Sequence, residues 1–364
     1  MKHYDIAIAG SGLFGAVIAF EAAKLGKSVL VVERRDHIGG NCYTEKIADI
    51  NVHKYGAHIF RTSDKEIWDY MHQFCEFNNF VNSPVANYHG ELLNMPFNMN
   101  TYYQLWGVKT PAEAREKIAS QCIPCADPKN LKEHILSIAG KDIFEKLVEG
   151  YTEKQWGMSC EELPPSVMRR IPLRFTFDNN YFRDPYQGIP IGGYTQIFEK
   201  MLAAADVRTG VDYLKQKEEI DAAADMVIYT GPIDEYYDFC YGELRYRSLR
   251  FEHEIFDTNN KQGVAVMNYT DTQTPYTRTI EHKHFEFGTQ PKTVVSKEYS
   301  QSWHRGIEPY YPLENADDRE KYEQYRQRSL AEEKVKFGGR LAEYRYYGME
   351  DTIRSALSKA KLWL

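Results

Sequence analysis

Asp5-Ile6-Ala7-Ile8-Ala9-Gly10-Ser11-Gly12-Leu13-Phe14-Gly15 is the stretch that decides the fold. A short apolar run enters three glycines spaced G-x-G-x-x-G, and an apolar helical stretch follows to Leu25, with Gly26 as its stop. Ser28-Val29-Leu30-Val31-Val32-Glu33 then reads as a second buried strand. The glycine pattern alone is weak. Between a strand and a helix, with an acid closing the next strand, it is strong. Gly10 permits the tight turn, Gly12 lets a pyrophosphate approach the backbone, and Gly15 lets helix and strand pack closely. Leu13 and Phe14 open the helix, whose N-terminus attracts the anion, and Glu33 is placed to accept a hydrogen bond from a ribose hydroxyl. The stretch predicts a Rossmann-like dinucleotide-binding domain.

Composition bounds the rest. Charged residues make up 27% and hydrophobic ones 43% of 364 residues, which excludes a disordered or collagen-like chain. The length predicts about two or three domains. A net charge of −7 argues against a general nucleic-acid binder. A membrane span needs about twenty apolar residues, and the nearest run, Ile6 to Phe20, is the glycine fingerprint itself. The six cysteines are sparse and irregular, as expected of reduced thiols in a cytoplasmic protein. Cys122-Ile123-Pro124-Cys125 has no second pair and no histidine at zinc spacing, so no metal site is expected. The 27 tyrosines are a surplus whose plain explanation is core filling.

NAD and FAD share the fingerprint. Arg34-Arg35-Asp36-His37-Ile38-Gly39-Gly40-Asn41 resembles the stretch after the second strand in flavoproteins of the glutathione-reductase type, and favours FAD. Lys334-Val335-Lys336-Phe337-Gly338-Gly339-Arg340 reads as a strand before an amphipathic helix with Ile353, Leu357 and Ala360 on one face. Returned to the first domain, this turn would bring Gly339 and Arg340 to the pyrophosphate; an ordinary strand–helix turn has the same pattern.

Farther in, Ser63-x-x-Glu66 and Thr110-Pro111-x-Glu113 read as capping boxes, and Asp127-Pro128 as a third helix start. Residues 81–160 are therefore predicted to form a helical subdomain. Gly263–Tyr269, Tyr276–Ile280 and Thr293–Tyr299 predict a mostly antiparallel sheet. Asp225–Tyr229 reads as a buried strand rejoining the first domain. The expected class is α/β: a Rossmann-like FAD-binding domain (1–80, 190–243 and 325–364), the inserted helical subdomain, and an antiparallel substrate domain (161–189 and 244–324) with a mobile loop. Arginines 169, 170, 174 and 183 form one basic group and Arg245, Arg247 and Arg250 another. Solvated faces explain them, and so would a nucleoside diphosphate, since the guanidinium fork suits phosphate.

Tyr55-Gly56-Ala57-His58-Ile59-Phe60, Tyr151-Thr152-Glu153-Lys154-Gln155-Trp156-Gly157, Arg170-Ile171-Pro172-Leu173-Arg174, Tyr276-Thr277-Arg278, Glu308-Pro309-Tyr310-Tyr311-Pro312 and Phe337-Gly338-Gly339-Arg340 together resemble bacterial UDP-galactopyranose mutase. The resemblance runs from the first strand to the last helix. It implies interconversion of the pyranose and furanose forms of UDP-galactose, with the N-acetyl analogue as a second candidate, for furanose-containing cell-surface polysaccharide. It implies reduced FAD, whose N5 attacks the anomeric carbon and displaces UDP with no net redox change. It implies catalytic roles for Arg170, Arg278 and His58, and substrate contacts from Tyr151, Trp156, Tyr181, Asn268, Tyr311, Tyr346 and Arg61. Cofactor contacts follow at Gly10, Gly12, Leu13, Phe14, Gly15, Glu33, Arg34, Gly40, Asn41, His58, Gly339, Arg340 and Met349. A homodimer is also implied. Two positions depart from many relatives: Arg61 replaces a histidine and Gly348 an aspartate. Arg61 is expected to adjust sugar preference and to admit the 2-acetamido analogue, because a long cation can hydrogen-bond an acyl carbonyl. Two other readings share the fold: a flavin oxidoreductase of amines or alcohols, and a non-catalytic nucleotide-sugar-binding flavoprotein.

Overall fold

A computed structural model describes residues 2–168 and 173–364. Tyr4–Ala9 and Val29–Glu33 are almost wholly buried parallel strands, as their unbroken apolar runs require. They sit inside a five-stranded parallel sheet in the order Val335–Phe337, Ala224–Tyr229, Tyr4–Ala9, Val29–Glu33, Asp206–Thr209. The strand expected at Asp225–Tyr229 and the one before Gly338 thus both return to the first domain. The Leu13–Lys24 helix packs against the C-terminal helix Met349–Trp363, with Phe14 edge-on to Trp363.

A second sheet has seven strands in the order Tyr311–Pro312, Tyr246–Phe256, Thr293–Ser302, Arg278–Glu281, Val266–Tyr269, Val85–Tyr88, Glu91–Asn94. All neighbours are antiparallel except Val266–Tyr269 with Val85–Tyr88. Register across the middle strands aligns Asn268 with Arg278 and Arg278 with Glu298. Against the large sheet, the helices Met99–Trp106, Pro111–Gln121, Leu131–Ile138 and Gly150–Trp156 surround a separate apolar core that includes Tyr102, Ile135 and Leu147.

Several local expectations are corrected. The hairpin at 85–94 lies in the stretch expected to be helical, yet it pairs into the large sheet. Ser63 is not a cap: Asp64 accepts from Glu66 N at 2.8 Å, while Ser63 donates to Asp184. The third helix starts at Leu131 rather than Pro128, because Asn130 accepts from Glu133 N at 2.9 Å. The box at Thr110 and Glu113 forms as expected. The longest strand, Tyr246–Phe256, was read as an arginine group. All six cysteines are free thiols, and no helix among the described residues is long and apolar enough to cross a membrane.

The first turn has no room for a side chain. A Cβ on Gly15 would lie 2.1 Å from Gly10 O. Gly15→Ala is therefore expected to destabilise the protein by about 1–3 kcal/mol, as overpacking does. Chemical denaturation checks this, and an unchanged midpoint would mean that the turn relaxes freely.

Candidate active site

The parallel sheet ends in a cleft. It is lined by Gly10, Gly12, Leu13, Phe14, Gly15, Glu33, Arg34, Gly40, Asn41, His58, Gly339, Arg340 and Met349, every residue expected at the cofactor. Backbone crowding shapes the floor: Gly40 is left-handed (φ 54°), and a Cβ there would lie 2.9 Å from Gly12 Cα. Glu33 is fixed in place. Its Oε2 accepts from Ser11 N and Oγ at 2.9 and 2.7 Å, and its Oε1 from Arg35 N at 3.0 Å. Arg340 donates to Tyr310 O at 3.0 Å and to Tyr347 O at 3.1 Å, all neutral partners, and burial lowers its pKa. A half-buried cation without a carboxylate favours an anion beside it. Arg35 Nη1 is buried and unpartnered. Narrow backbone, a fixed acid and an uncompensated cation fit a dinucleotide carrying a pyrophosphate.

Sequence reasoning missed Arg35, Thr230, Glu235, Glu308 and Tyr310, which also line the cleft. Thr230 follows a strand that was legible, so its position was findable. Glu308 was not, because it arrives from a distant loop to pair with Arg34 and Arg35 at 3.0 and 3.3 Å.

His58 sits at the cleft's inner end. Its Nδ1 lies 2.8 Å from Gly56 O, and a carbonyl can only accept, so Nδ1 carries the proton and Nε2 is left as an acceptor. Behind it, His58 N donates to His53 Nδ1 at 3.1 Å, and His53 N donates to His282 Nδ1 at 3.2 Å. Burial lowers His58 to about 4 and His53 to about 3, and pulls His282 well below its ordinary value.

A second group adjoins the cleft. Arg278 Nη2 donates to Tyr151 Oη at 2.6 Å, and its Nε lies 3.1 Å from Glu298 Oε1. Burial opposes the Arg278 charge, but Glu298 together with Tyr151, Tyr311 and Tyr181 outweighs it and raises its pKa. Trp156 meets the Tyr311 ring edge-on at 6.3 Å, Tyr311 meets Tyr346 at 5.7 Å, and Arg340 lies 5.7 Å from the Tyr346 ring. These contacts join the group to the cofactor cleft. Among the described residues, Tyr311 Oη and Asn268 Oδ1 are buried without a well-aligned hydrogen-bond partner, although Ser300 and Arg247 lie beside Tyr311. Glu298 was not singled out, Arg247 was named only within a basic group open to a phosphate, and both are part of this group. Arg247 donates to Gln155 O at 2.9 Å and stands opposite Tyr311 in register.

Tyr181 is exposed, with its backbone held by Asn82 and Arg174. Arg61 pairs with Asp184 at 2.6 Å and lies over the Phe182 ring. Arg170 lies outside the described residues. Gly348 is the N-cap of the last helix.

Comparisons with known proteins follow this geometry. The family model for UDP-galactopyranose mutase matches residues 146–346, and one for an NAD(P)-binding Rossmann-like domain matches residues 8–74. The chain is 37% identical to a Klebsiella pneumoniae protein named "Probable UDP-galactopyranose mutase", covering 100% of this chain and 96% of that one. It is 36% identical to dTDP-fucopyranose mutase of Escherichia coli, covering 99% and 98%. A solved structure of reduced UDP-galactopyranose mutase superimposes with a TM-score of 0.74 over 98% of this chain and 95% of that one, at 15% identity.

The three lowered histidines set an acid dependence. Unfolding lets each return to an ordinary pKa of about 6.5 and bind a proton. Stability is therefore full above about pH 6.5 and falls as pH drops toward about 4. Calorimetric melting is expected to give a lower Tm at about pH 5 than at about pH 7.5, with a smaller drop in His53→Phe. A Tm independent of pH would show that these rings are not held neutral.

Proposed function

This chain belongs to the UDP-galactopyranose mutase family, and we propose that it interconverts the pyranose and furanose forms of UDP-galactose. It is an isomerase by family. The observation that carries the substrate reading is the charged row Asn268, Arg278, Glu298, set beside the cofactor cleft and capped by Tyr151. The cofactor we assign is FAD, which when bound and reduced supplies a nucleophilic nitrogen and keeps its electrons over the cycle. The remaining work falls to the chain. Arg278 binds the diphosphate and stabilises the charge that grows as UDP leaves. Glu298 keeps Arg278 charged in a poorly solvated place. Tyr311, Tyr346 and Tyr181 supply hydroxyls to the phosphates, Arg170 a second cation, and Asn268 a polar contact. Trp156 and Tyr151 form the uridine side. His58 offers Nε2 as an acceptor to a ring N–H of the cofactor.

The same proposal divides the chain as the sequence suggests, with the 157–186 loop closing over substrate, and places the enzyme in the cytoplasm as a homodimer. The near-equal identity to dTDP-fucopyranose mutase supports testing a second nucleotide sugar.

The deciding experiment is anaerobic. The dithionite-reduced protein is mixed with UDP-galactofuranose and the products are separated by chromatography. UDP-galactopyranose is expected without consumption of an electron acceptor; absence of product, or stoichiometric acceptor use, rejects the reading. Parallel reactions with the N-acetyl analogue and dTDP-fucofuranose rank the substrates, and Arg61→His tests the acyl preference. Arg278→Ala should lose nearly all turnover while the protein stays yellow and folded.

A further inference from the structure

The Gly150–Trp156 helix carries Tyr151 and Trp156, two of the residues assigned to the nucleotide. It is docked against one loop, residues 269–276, which leads directly into Arg278. Three positions make the contact, one in the wider turn Phe144–Glu149 that precedes the helix and two four apart within it. Lys146 O accepts from Thr270 Oγ1 at 2.6 Å. Gly150 has no space for a side chain, since a Cβ would lie 2.4 Å from Thr270 O. Lys154 Nζ donates to three converging carbonyls of the loop: Tyr269 at 2.8 Å, Thr274 at 3.0 Å and Tyr276 at 3.2 Å.

We propose that Lys154 is a positioning residue of the mutase reaction, setting the register between Tyr151 on the helix and Arg278 on the strand through its clamp on the 269–276 loop. The inference rests on the mutase reading of the site. The clamp is specific in form. An ammonium has three donors and each finds a backbone acceptor, so the loop is held at three points by one side chain. The loop is also braced from its own side, where Asp271 accepts from Gln273 N and Thr274 N at 2.9 and 2.7 Å. Only Thr277 separates Tyr276, whose carbonyl is clamped, from Arg278. A shift of the loop therefore carries over to the guanidinium, which meets Tyr151 Oη at 2.6 Å.

Stability does not explain the choice of lysine. Burial lowers Lys154 to about 8, with Asp271 opposing, so keeping the ammonium charged at neutral pH costs the fold stability. A methionine stem would fill the same groove without a charge to desolvate, but would offer the three carbonyls no donor. What an apolar side chain cannot do is fix the loop's carbonyls at one place relative to the helix.

The test compares the reduced holoenzyme with Lys154→Met, and with Lys154→Gln, which keeps a donor amide should the apolar variant fold poorly. UDP affinity is measured by calorimetry and kcat and KM by chromatography, while flavin absorbance and Tm report on folding. Lys154→Met is expected to lower kcat/KM by about tenfold to a hundredfold, the scale of small misplacements of positioned groups, with UDP affinity falling in step. Flavin content and Tm should stay near those of the parent, and Lys154→Gln should recover part of the loss. In a Tyr151→Phe background the same substitution should cost less than about threefold, because the contact it sets is already gone. Unchanged kcat/KM and UDP affinity in Lys154→Met, or an equal loss with and without the Tyr151 hydroxyl, would overturn the role. A parent that binds UDP but forms no product would sink the mutase reading alone, and the ratio of UDP affinities would still decide the role of Lys154.

Discussion

The structure depends on one crowded place, where the first strand turns into the first helix. Gly10, Gly12 and Gly15 bring backbone so close to backbone that side chains are excluded on several sides: Gly15 against Gly10, Gly40 against Gly12, and Gly10 against Thr230. This crowding aims the helix N-terminus into the cleft. It also explains why strands from distant parts of the chain return here. Ala224–Tyr229 delivers Thr230 to the glycine turn, and Val335–Phe337 delivers Gly339 and Arg340. The cleft is thus built by sheet order, and the loops that line it inherit their positions from parallel pairing.

The second constraint is charge. Arg278 is surrounded by aromatic rings and has one carboxylate, Glu298, on the adjacent strand. Arg247 has no carboxylate at all and is satisfied by Gln155 O, Lys154 O, Ser300 and Ser302. It caps the C-terminal carbonyls of the Gly150–Trp156 helix, where a cation is favoured. Two guanidinium groups therefore hold the sheet to the same helix from different rows.

What was legible in the sequence follows from this. The fingerprint, Glu33 and the late Gly-Gly-Arg were visible because backbone close approach demands glycine at fixed spacing. The family resemblance added His58, Arg278 and the tyrosines. Glu298 escaped, and Arg247 stood only as one of a basic group, because their importance lies in strand register, which pairs residues far apart in the chain. The Tyr246–Phe256 strand was hidden by its own solvent face: Arg250, Glu252 and Glu254 alternate outward, so a period of two looked like a charge cluster. The 85–94 hairpin escaped for a related reason, since it joins the sheet through a parallel partner nearly two hundred residues away. Arg174, grouped by sequence with possible phosphate ligands, instead donates to the backbone carbonyls of Asn180 and Tyr181 and shapes the loop.

The tyrosines divide by the same accounting. Most buried hydroxyls are spoken for: Tyr246 donates to Asp234, Tyr213 to Asp221, Tyr194 to His58 O and Tyr344 to Arg245 O. These are core residues whose polar ends are satisfied within the protein. Tyr311 is different. Its ring is buried between Trp156 and Tyr346, and among the described residues its hydroxyl makes no well-aligned hydrogen bond, with only Ser300 and Arg247 beside it. Leaving such a group poorly paired costs about 1–3 kcal/mol, and a phenylalanine would avoid that cost. A hydroxyl in that position, beside Arg247, is one that the proposed substrate contact would complete. That is the property that separates a few tyrosines from the many, and no count of them could have supplied it.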